Sequence, residues 1–340
     1  MKTLNPQEIY TQLMHLVNCE GITPMVHGSP GISKSAITQR VARDINHELI
    51  DWRGSSADPT DTNGLPMRNL ESGKAEYMPF DTFPLEGDEL PKGKDGWVIA
   101  MEEINSAPRA VIAACYKLIL DRLVGNRKLH PAVKIICLGN LSTDGAIVQP
   151  IGTAMQSRLV HLIMGVDVKE TIQFMAKSGF DKRIIAYANW KPGNVYNFVP
   201  KNIEYTFPCI RTWSFVNSII TGQLELAPLA PSIHGAISLG VGREFIAFCA
   251  IFHTLPDLNE VVKNPATAPI PNEADVRFAL ATAIAEHMTD DNLADWVIYV
   301  DRFPMELKLL VINTLFGINP SLAMDDRTDP LIQQVKSYII

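Results

Sequence analysis

A chain of 340 residues with 46% hydrophobic and 20% charged residues is long enough for about two globular domains. The net charge of −7 argues against a protein that binds nucleic acid regardless of its sequence, because such a protein needs a basic face. No apolar run reaches the roughly 18 residues that span a bilayer, so no membrane segment is expected.

The five cysteines are scattered and odd in number. This pattern is typical of free thiols in a reducing compartment, and not of a disulfide framework or a zinc site. The first residues also lack the apolar core of a signal peptide. We therefore expect a cytoplasmic protein.

Helical and strand patterns alternate over the first 166 residues. Asn5, Pro6 and Glu8 form a capping signature that predicts the start of a helix. The predicted elements that follow are strand 23–27, helix 33–46, strand 49–52, strand 97–101, helix 107–122, strand 133–139 and strand 159–164. Strands that are apolar on both faces and alternate with helices indicate a parallel sheet with helices on both sides.

Two other parts of the chain have a different character. Residues 54–96 are rich in Gly, Pro, Asp and Ser, with only short extended pieces such as 75–77, and a stretch like this is usually functional or inserted. After residue 166, helices are predicted over 167–178, 211–221, 240–253, 273–288, 290–301 and 304–316, with loops over 190–208 and 254–272. We therefore expect an α/β domain over 1–166 and a helical region over 167–340.

Residues 26–35 read Val-His-Gly-Ser-Pro-Gly-Ile-Ser-Lys-Ser, an almost complete phosphate-binding loop between a predicted strand and a predicted helix. Backbone N–H groups in such a loop can cradle phosphate oxygens, and the helix adds its N-terminal dipole. Lys34 can reach the β- and γ-phosphates, and the Ser35 hydroxyl can bind Mg²⁺. The predicted nucleotide-binding residues are Gly28, Ser29, Pro30, Gly31, Ile32, Ser33, Lys34 and Ser35.

The loop departs from the usual pattern at Ser33, where a glycine is expected. If Ser33 must adopt a glycine-like backbone angle, the loop is strained and Ser33→Gly is expected to tighten nucleotide binding. Taken alone, the segment could also be a strand–turn–helix corner with an incidental lysine.

Two adjacent carboxylates, Glu102 and Glu103, follow the predicted strand 97–101. Such a pair is costly to desolvate without a counter-charge, which a Mg²⁺-nucleotide supplies. In P-loop ATPases the first acid supports the Mg²⁺ and the second polarises the attacking water, so Glu102 is a candidate Mg²⁺ ligand and Glu103 the candidate base. Glu102 is one methylene longer than the usual Asp, and two solvated acids at a strand end are the alternative.

Three further residues have suggestive positions. Asn140 follows strand 133–139 and could orient the attacking water or sense the γ-phosphate, although Gly-Asn is also an ordinary turn. Arg158 precedes strand 159–164 and Arg211 opens a helix, and each could equally be an ordinary surface arginine.

In this order, the loop, the paired acids, Asn140 and the two arginines resemble the AAA+ ATPases, and within them the MoxR-like and dynein-related group. Residues 58–66, 102–108 and 207–213 look like the insert, acidic-strand and lid-helix signatures of that group. The resemblance covers most of residues 20–220. It implies a P-loop NTPase fold with a nucleotide-binding domain over 1–166 and a helical lid after it.

The resemblance also implies roles for the remaining polar residues. Asn140 would be the sensor on the central strand. Arg158 would be an arginine finger inserted into the site of a neighbouring subunit. Arg211 would be the lid arginine that contacts the γ-phosphate within its own subunit.

By the same resemblance, the protein would form a ring, usually a hexamer, and hydrolyse Mg²⁺-ATP to remodel or activate a partner protein. A protein with a von Willebrand factor A domain is the implied partner. A nucleotide-binding scaffold with weak or no hydrolysis is the alternative, motivated by Ser33 and Glu102. A small-molecule kinase is a third hypothesis, but no basic cluster for a substrate phosphate is evident.

Overall fold

The computed structural model describes residues 1–71, 73–145, 148–149, 151–200, 204–251 and 255–336. These residues divide into two compact units. The first unit comprises residues 1–166 together with Val199 and Pro200. The second unit comprises the other described residues from Asp167 onwards.

A six-stranded parallel sheet organises the first unit. Its strands lie in the order β1, β10, β2, β9, β6, β3. Their bounds are β1 Thr3–Leu4, β2 Thr23–Gly28, β3 His47–Arg53, β6 Gly96–Glu102, β9 Val133–Gly139 and β10 Leu159–Met164. The predicted parallel sheet is therefore confirmed, and β6 is buried along its whole length, as an inner strand covered on both faces must be.

Helices flank this sheet. Helix α1 packs against α2, and α2 against β3 and β6. Val111, Ile112 and Cys115 of α4 lie in one apolar core with Ile99 and Met101 of β6. The helices of this unit are α1 Pro6–Leu16, α2 Lys34–Asp44, α3 Pro59–Asn63, α4 Arg109–Tyr116 and α5 Thr153–Gln156.

The capping signature at the start of α1 is confirmed atom by atom. The Asn5 side chain accepts a hydrogen bond from the backbone N–H of Glu8 at 2.7 Å, and the Glu8 carboxylate accepts one from the Asn5 N–H at 2.9 Å. Two otherwise unpaired donors at the helix start are thereby satisfied.

The prediction of short extended pieces within residues 54–96 is confirmed at 75–77, which lies in β5, but the short helix in this segment was not predicted. The segment contains α3 and a hairpin of β4 Leu65–Arg68 with β5 Ala75–Met78. Asp58 caps α3 through the same type of capping box as Asn5, with Pro59 at the first helical position. Both hairpin strands are exposed, so neither shows the apolar alternation that predicts a strand.

The predicted helix 107–122 is α-helical over a shorter range. Helix α4 ends at Tyr116, and a π-helical turn follows over Lys117–Asp121. Arg122 then takes a left-handed backbone with φ +58°, and its guanidinium donates a hydrogen bond to the Val133 carbonyl. A short hairpin, β7 Leu123–Val124 with β8 Arg127–Lys128, leads on to β9.

The second unit is helical, as expected. Its helices are α6 Val168–Lys177, α7 Lys182–Trp190, α8 Ile210–Ile220, α9 Ala230–Ile237, α10 Leu239–Ile251, α11 Leu258–Lys263, α12 Ala274–His287, α13 Leu293–Asp301, α14 Met305–Ile318, α15 Pro320–Ala323 and α16 Asp329–Val335. One core gathers around Tyr187, Trp213 and Phe245, and another around Trp296 and Tyr299.

Five of these helices were not predicted: α7, α9, α11, α15 and α16. Helices α7 and α11 begin after Asp181 and Asp257, whose carboxylates accept hydrogen bonds from the backbone N–H two residues ahead. Helix α9 follows a turn, and its first residues include Pro231. The predicted loop over 254–272 is therefore wrong where α11 stands, and the parts of the predictions that fall on residues 201–203 and 252–254 lie outside the described residues.

The cysteines are unpaired, as their number and spacing predict. All five cysteines are free, and four of them are buried. Burial raises the pKa of the Cys137 thiol to about 12, so this thiol is an unreactive part of the core.

Candidate nucleotide-binding site

The candidate site lies at the carboxyl edge of the parallel sheet, where β2, β9 and β6 end side by side. The register pairs His27 with Gly139, and Met101 with Cys137. Strand β2 thus delivers the phosphate loop, β9 delivers Asn140, and β6 delivers Glu102. Ligands of open α/β sheets bind at this edge.

The loop between β2 and α2 is held close to the backbone of β10. A Cβ on Gly28 would lie 2.6 Å from the Ile32 Cδ1 atom and 3.0 Å from the Met164 carbonyl oxygen. Position 28 therefore accepts glycine alone without rearrangement. Gly31 has φ +76°, the left-handed region that glycine adopts without strain.

Ser33 also occupies the left-handed region, with φ 73° and ψ 25°. Ser33 therefore has the glycine-like backbone angle that the sequence analysis named as the cause of strain in this loop. The Ser33 side chain makes no hydrogen bond that caps α2. A left-handed backbone costs an ordinary residue roughly 1–2 kcal/mol.

Lys34 folds back across the loop. Its Nζ atom donates hydrogen bonds to the Gly28 carbonyl at 2.6 Å and the Ser29 carbonyl at 2.9 Å, and it lies 3.5 Å from Asn140 Oδ1. The ammonium group thus connects the loop to the end of β9.

Glu102 ends β6 and is 6% exposed. Burial raises the pKa of this carboxyl, while a hydrogen bond with Ser35 and the charges of Arg53 and Lys34 act in the opposite direction. The structure therefore places a carboxylate and a hydroxyl together, beside a lysine. Oxygen donors of this kind fit Mg²⁺, which keeps several of its waters and takes one or two protein ligands.

Glu103 follows directly, is half-buried and has φ 53°, another left-handed backbone on a residue other than glycine. A three-residue helical turn over Ile104–Ser106 begins after it. Sparsely populated backbone angles of this kind concentrate at functional sites.

Asn140 is anchored by a residue that the sequence analysis did not select. Asn105 Nδ2 donates to the Asn140 carbonyl at 2.8 Å, and Asn105 Oδ1 accepts from the Asn140 N–H at 3.0 Å. Asn105 is buried within the segment 102–108. The signal for it was its place two residues after Glu103, but sequence spacing cannot show which backbone its amide meets.

Asp144 is a second residue that the sequence analysis missed. Its Oδ1 accepts a hydrogen bond from the Ser29 hydroxyl at 3.2 Å, which connects the loop after β9 to the phosphate loop. The residue is buried, and Oδ2 has no hydrogen-bond partner within the part of the chain that the structure describes. It follows Ser142 and Thr143 in a polar turn, so nothing in its sequence context distinguishes it from a surface residue.

A cavity of about 670 Å³ adjoins Asn140. Two histidines line it, and His27 Nε2 lies 2.9 Å from His161 Nδ1 with the rings stacked. Burial, together with the charges of His161 and Lys34, lowers the pKa of His27 to about 4, so this imidazole is neutral at pH 7. Other lining residues include Asn105, Ser142, Gln149, Gln156 and Ser157.

Arg158 lies away from this cluster. It precedes Leu159, which pairs with Thr23 at the start of β2, whereas Gly28 at the end of β2 pairs with Met164. Five residues of strand separate the two ends of this register, which is about 17 Å at 3.3 Å per residue. Arg158 is exposed at the amino edge of the sheet.

Arg211 belongs to the second unit, where it is exposed in the first turn of α8. The residues that the first unit brings together are therefore Lys34, Ser35, Glu102, Glu103 and Asn140, and the roles of both arginines stay predictions. Within the described ranges, no three His, Cys, Asp or Glu residues are grouped as metal ligands, and none of the helices described is long and apolar enough to cross a membrane.

No protein-family model matches this chain, and no curated protein sequence matches it. Solved structures similar to it include a putative ATPase from Cytophaga hutchinsonii, at 13% identity and a TM-score of 0.35, over 96% of this chain and 88% of that one. NtrX from Brucella abortus is similar at 12% identity and a TM-score of 0.34, over 99% and 69% of the two chains. NtrX in complex with ADP is similar at 13% identity and the same TM-score, over 98% and 68%. Likeness at this level carries no argument about activity, and the fold rests on the strand order and register above.

Proposed function

We propose that this chain is an AAA+ ATPase that binds Mg²⁺-ATP at the phosphate loop and hydrolyses it to ADP and phosphate. The observation that carries the proposal is the meeting of three features at one sheet edge: Lys34 across the loop, Ser35 hydrogen-bonded to Glu102, and Asn140 beside the Lys34 ammonium. Each comes from a different element of the chain. A strand–turn–helix corner with an incidental lysine would need neither the Ser35–Glu102 hydrogen bond nor Asn140 beside the lysine.

The chain's own groups divide the work of phosphoryl transfer. Lys34 exchanges its two loop carbonyls for phosphate oxygens when ATP enters, and charge-assisted bonds to phosphate are stronger than bonds to neutral carbonyls. Ser35 and Glu102 would hold Mg²⁺, which supplies positive charge against the phosphate oxygens when it is bound.

Glu103 accepts the proton of the attacking water, and Asn140 orients that water or the γ-phosphate. Glu103 is half-buried and directly follows β6, at the same edge of the sheet as the phosphate loop. Positioned acid–base groups contribute about 10²–10⁴ in rate.

The position of Arg158 supports an oligomeric enzyme. At about 17 Å along the sheet from Gly28, the Arg158 side chain is too far from the loop of its own chain. If Arg158 is an arginine finger, it acts on a neighbouring subunit, and such a finger is worth about 10³–10⁵ in rate. We propose a ring, with six subunits as the resemblance implies.

The finer assignment rests on the sequence resemblance to the MoxR-like group. In this proposal the helical second unit is a lid, Arg211 contacts the γ-phosphate within its own subunit, and the ring remodels or activates a partner with a von Willebrand factor A domain. The buried free thiols fit a protein of the reducing cytoplasm.

A nucleotide-binding scaffold with weak or no hydrolysis is the second candidate. Two observations favour it: the left-handed backbone of Ser33, and the raised pKa of Glu102, which weakens it as a Mg²⁺ ligand. Both would slow hydrolysis without preventing nucleotide binding.

Phosphate release measured across protein concentrations separates the two. The ATPase predicts a specific activity that rises as subunits assemble and is lost in Lys34→Ala. Nucleotide binding without phosphate release at any concentration would establish the scaffold instead.

Mixing two inactive variants tests the finger. Arg158→Ala subunits keep an intact loop, and Glu103→Gln subunits keep an intact finger. If Arg158 acts on the neighbouring site, mixed rings regain part of the activity. An absence of rescue in rings shown to be mixed would remove Arg158 from the site.

A further inference from the structure

Asn105 lies between the ends of β6 and β9 and bonds to both backbone polar groups of Asn140. The two hydrogen bonds are 2.8 and 3.0 Å long, and Asn105 is 3% exposed. We propose that Asn105 is a positioning residue, which sets the Asn140 amide at a fixed place relative to Glu103 for hydrolysis. This inference rests on the proposed ATPase function.

The Asn105 amide packs so closely against the end of β9 that position 139 has no room for a side chain. A Cβ on Gly139 would lie 2.6 Å from Asn105 Oδ1 and 2.8 Å from Asn105 Cγ. Gly139, directly before Asn140, therefore allows the amide to reach the strand end. The contact is made by closely packed groups and not by a long, adjustable side chain.

The backbone of Asn105 is fixed as well. Its carbonyl accepts a hydrogen bond from the Gln149 N–H at 2.6 Å. The turn that contains it is closed by a bond of 2.8 Å from the Ser106 N–H to the Glu103 carbonyl. These two hydrogen bonds fix the backbone on both sides of Asn105, in the same turn as the candidate base Glu103.

One side chain thereby joins the candidate base to the candidate sensor. Glu103 is connected to Asn105 through a single tight turn, and Asn105 is connected to Asn140 through a pair of bonds that satisfies both its N–H and its carbonyl. No other hydrogen bond within the described residues joins the segment 103–106 to Asn140. A shift of the Asn140 amide by about 1 Å is enough to cost about 10²-fold in rate.

The test is steady-state ATP hydrolysis by Asn105→Leu, which keeps a similar shape and removes both hydrogen bonds. We expect kcat to fall about 10–100-fold, with the KM for ATP within about threefold of the wild type. In an Asn140→Ala background the same substitution should have no further effect on kcat, because the amide that it positions is gone. Asn18→Leu, on the exposed surface after α1, is the control and should leave kcat unchanged.

A merely structural role predicts something else. Asn105→Leu would then lower kcat by the same factor in both backgrounds, or leave kcat unchanged, and either result would overturn the proposal. If Asn105→Leu fails to bind nucleotide, Asn105→Asp replaces it, because Asp keeps the acceptor for the Asn140 N–H and loses the donor to the carbonyl. An intermediate loss of kcat that disappears in the Asn140→Ala background is then expected, and equal losses in both backgrounds overturn the proposal. A wild-type protein without ATP turnover would instead overturn the proposed function, which is a distinguishable failure.

Discussion

Charged side chains that are at least partly buried have different partners in the two units. In the first unit, the carboxylates of Glu102 and Asp144 meet the hydroxyls of Ser35 and Ser29, and burial raises the pKa of Glu102. In the second unit, the Arg183 guanidinium donates two hydrogen bonds, of 2.9 and 2.7 Å, to the Asp181 carboxylate. Burial alone would raise the pKa of Asp181, but the hydrogen bonds from Arg183 outweigh it and lower that pKa.

The difference in partners distinguishes charged groups that stabilise the fold from charged groups that can bind a ligand. A buried carboxylate reduces the stability of its unit when the attraction it gains is less than the hydration it loses. The raised pKa of Glu102 indicates that the Ser35 hydroxyl and the charges of Arg53 and Lys34 do not offset its burial. Carboxyls with a perturbed pKa, as Glu102 has, cluster at functional sites. The Arg183–Asp181 pair is already complete, because Arg183 also donates to the carbonyls of Gln223 and Ile220.

The largest expected effect is on turnover. Glu103→Gln should lower the rate of phosphate release about 10²–10⁴-fold, because the amide cannot accept the proton of the attacking water. Nucleotide binding should persist, since the loop and Lys34 are untouched. Steady-state phosphate release and an equilibrium titration with ATP measure the two effects, and the exposed Glu89→Gln is the control. Equal loss of binding and turnover would make Glu103 a binding group and not the base.

The second effect is on the stability of the helical unit. Arg183→Met should lower the free energy of unfolding by about 1–3 kcal/mol, because it leaves the half-buried Asp181 carboxylate without its counter-charge and two carbonyl groups without their donor. Lys263→Met removes the lysine of an exposed pair with Glu260 and should leave stability unchanged. Denaturant unfolding monitored by circular dichroism measures both. A small loss in Arg183→Met would contradict the structural role of this pair.

The third effect has opposite signs for stability and activity. Glu102→Gln should raise the stability of the protein above about pH 5, because the folded state no longer holds a carboxyl whose pKa is above its unfolded value. The folded protein retains the Glu102 proton over a pH range in which the unfolded chain releases it, so wild-type stability falls as pH rises through that range. The same substitution should reduce Mg²⁺-dependent hydrolysis, since a Mg²⁺ ligand is lost.

A matched variant in the second unit separates the loss of hydrolysis from the change in stability. Partial burial raises the pKa of Glu286 to about 7, although the charge of Lys182, 4.0 Å away, acts in the opposite direction. Glu286→Gln should therefore also raise stability as pH increases from about 4.5 to 7, by a small amount because the side chain is partly exposed to solvent. It should leave hydrolysis unchanged. Thermal unfolding from pH 5 to 8, with turnover measured on the same samples, compares the two variants. If Glu102→Gln were as active as Glu286→Gln, Glu102 would not support the Mg²⁺.

The smallest effect concerns Ser33. Ser33→Gly should stabilise the protein by about 0.5–1 kcal/mol, since relief of the left-handed backbone outweighs the entropy of a glycine in the unfolded chain. We also expect it to tighten nucleotide binding. Ser178→Gly, at a helix end with φ −89°, is the control and should lower stability. Unchanged affinity and melting temperature in Ser33→Gly would mean that the serine fits the loop without strain.

Much of this site could be predicted from the sequence, because strand ends carry its residues. The apolar strands 97–101 and 133–139 were visible as uninterrupted runs, and polar residues after such strands share one edge of a parallel sheet. For this reason the proximity of Lys34 and Asn140 could be anticipated from their places in the order of elements.

The remainder depended on contacts that sequence spacing does not encode. Asn105 acts through a pair of hydrogen bonds to Asn140 and Asp144 through one hydrogen bond from Ser29, and neither residue belongs to a periodic pattern. The pairing of β4 with β5 was not predicted, because the side chains of this exposed hairpin do not alternate between a core and solvent. Helix α3 could have been found, since Asp58 and Pro59 repeat the signature of Asn5 and Pro6.

The most direct test of the central claim is to measure ATP binding and phosphate release on one sample of the wild-type protein with Mg²⁺. We expect that each chain binds one nucleotide and that phosphate is released repeatedly, with both lost in Lys34→Ala. Binding without release would leave the loop as a nucleotide sensor. Failure of the wild-type protein to bind ATP at millimolar concentrations would contradict the assignment of the sheet edge as a nucleotide site.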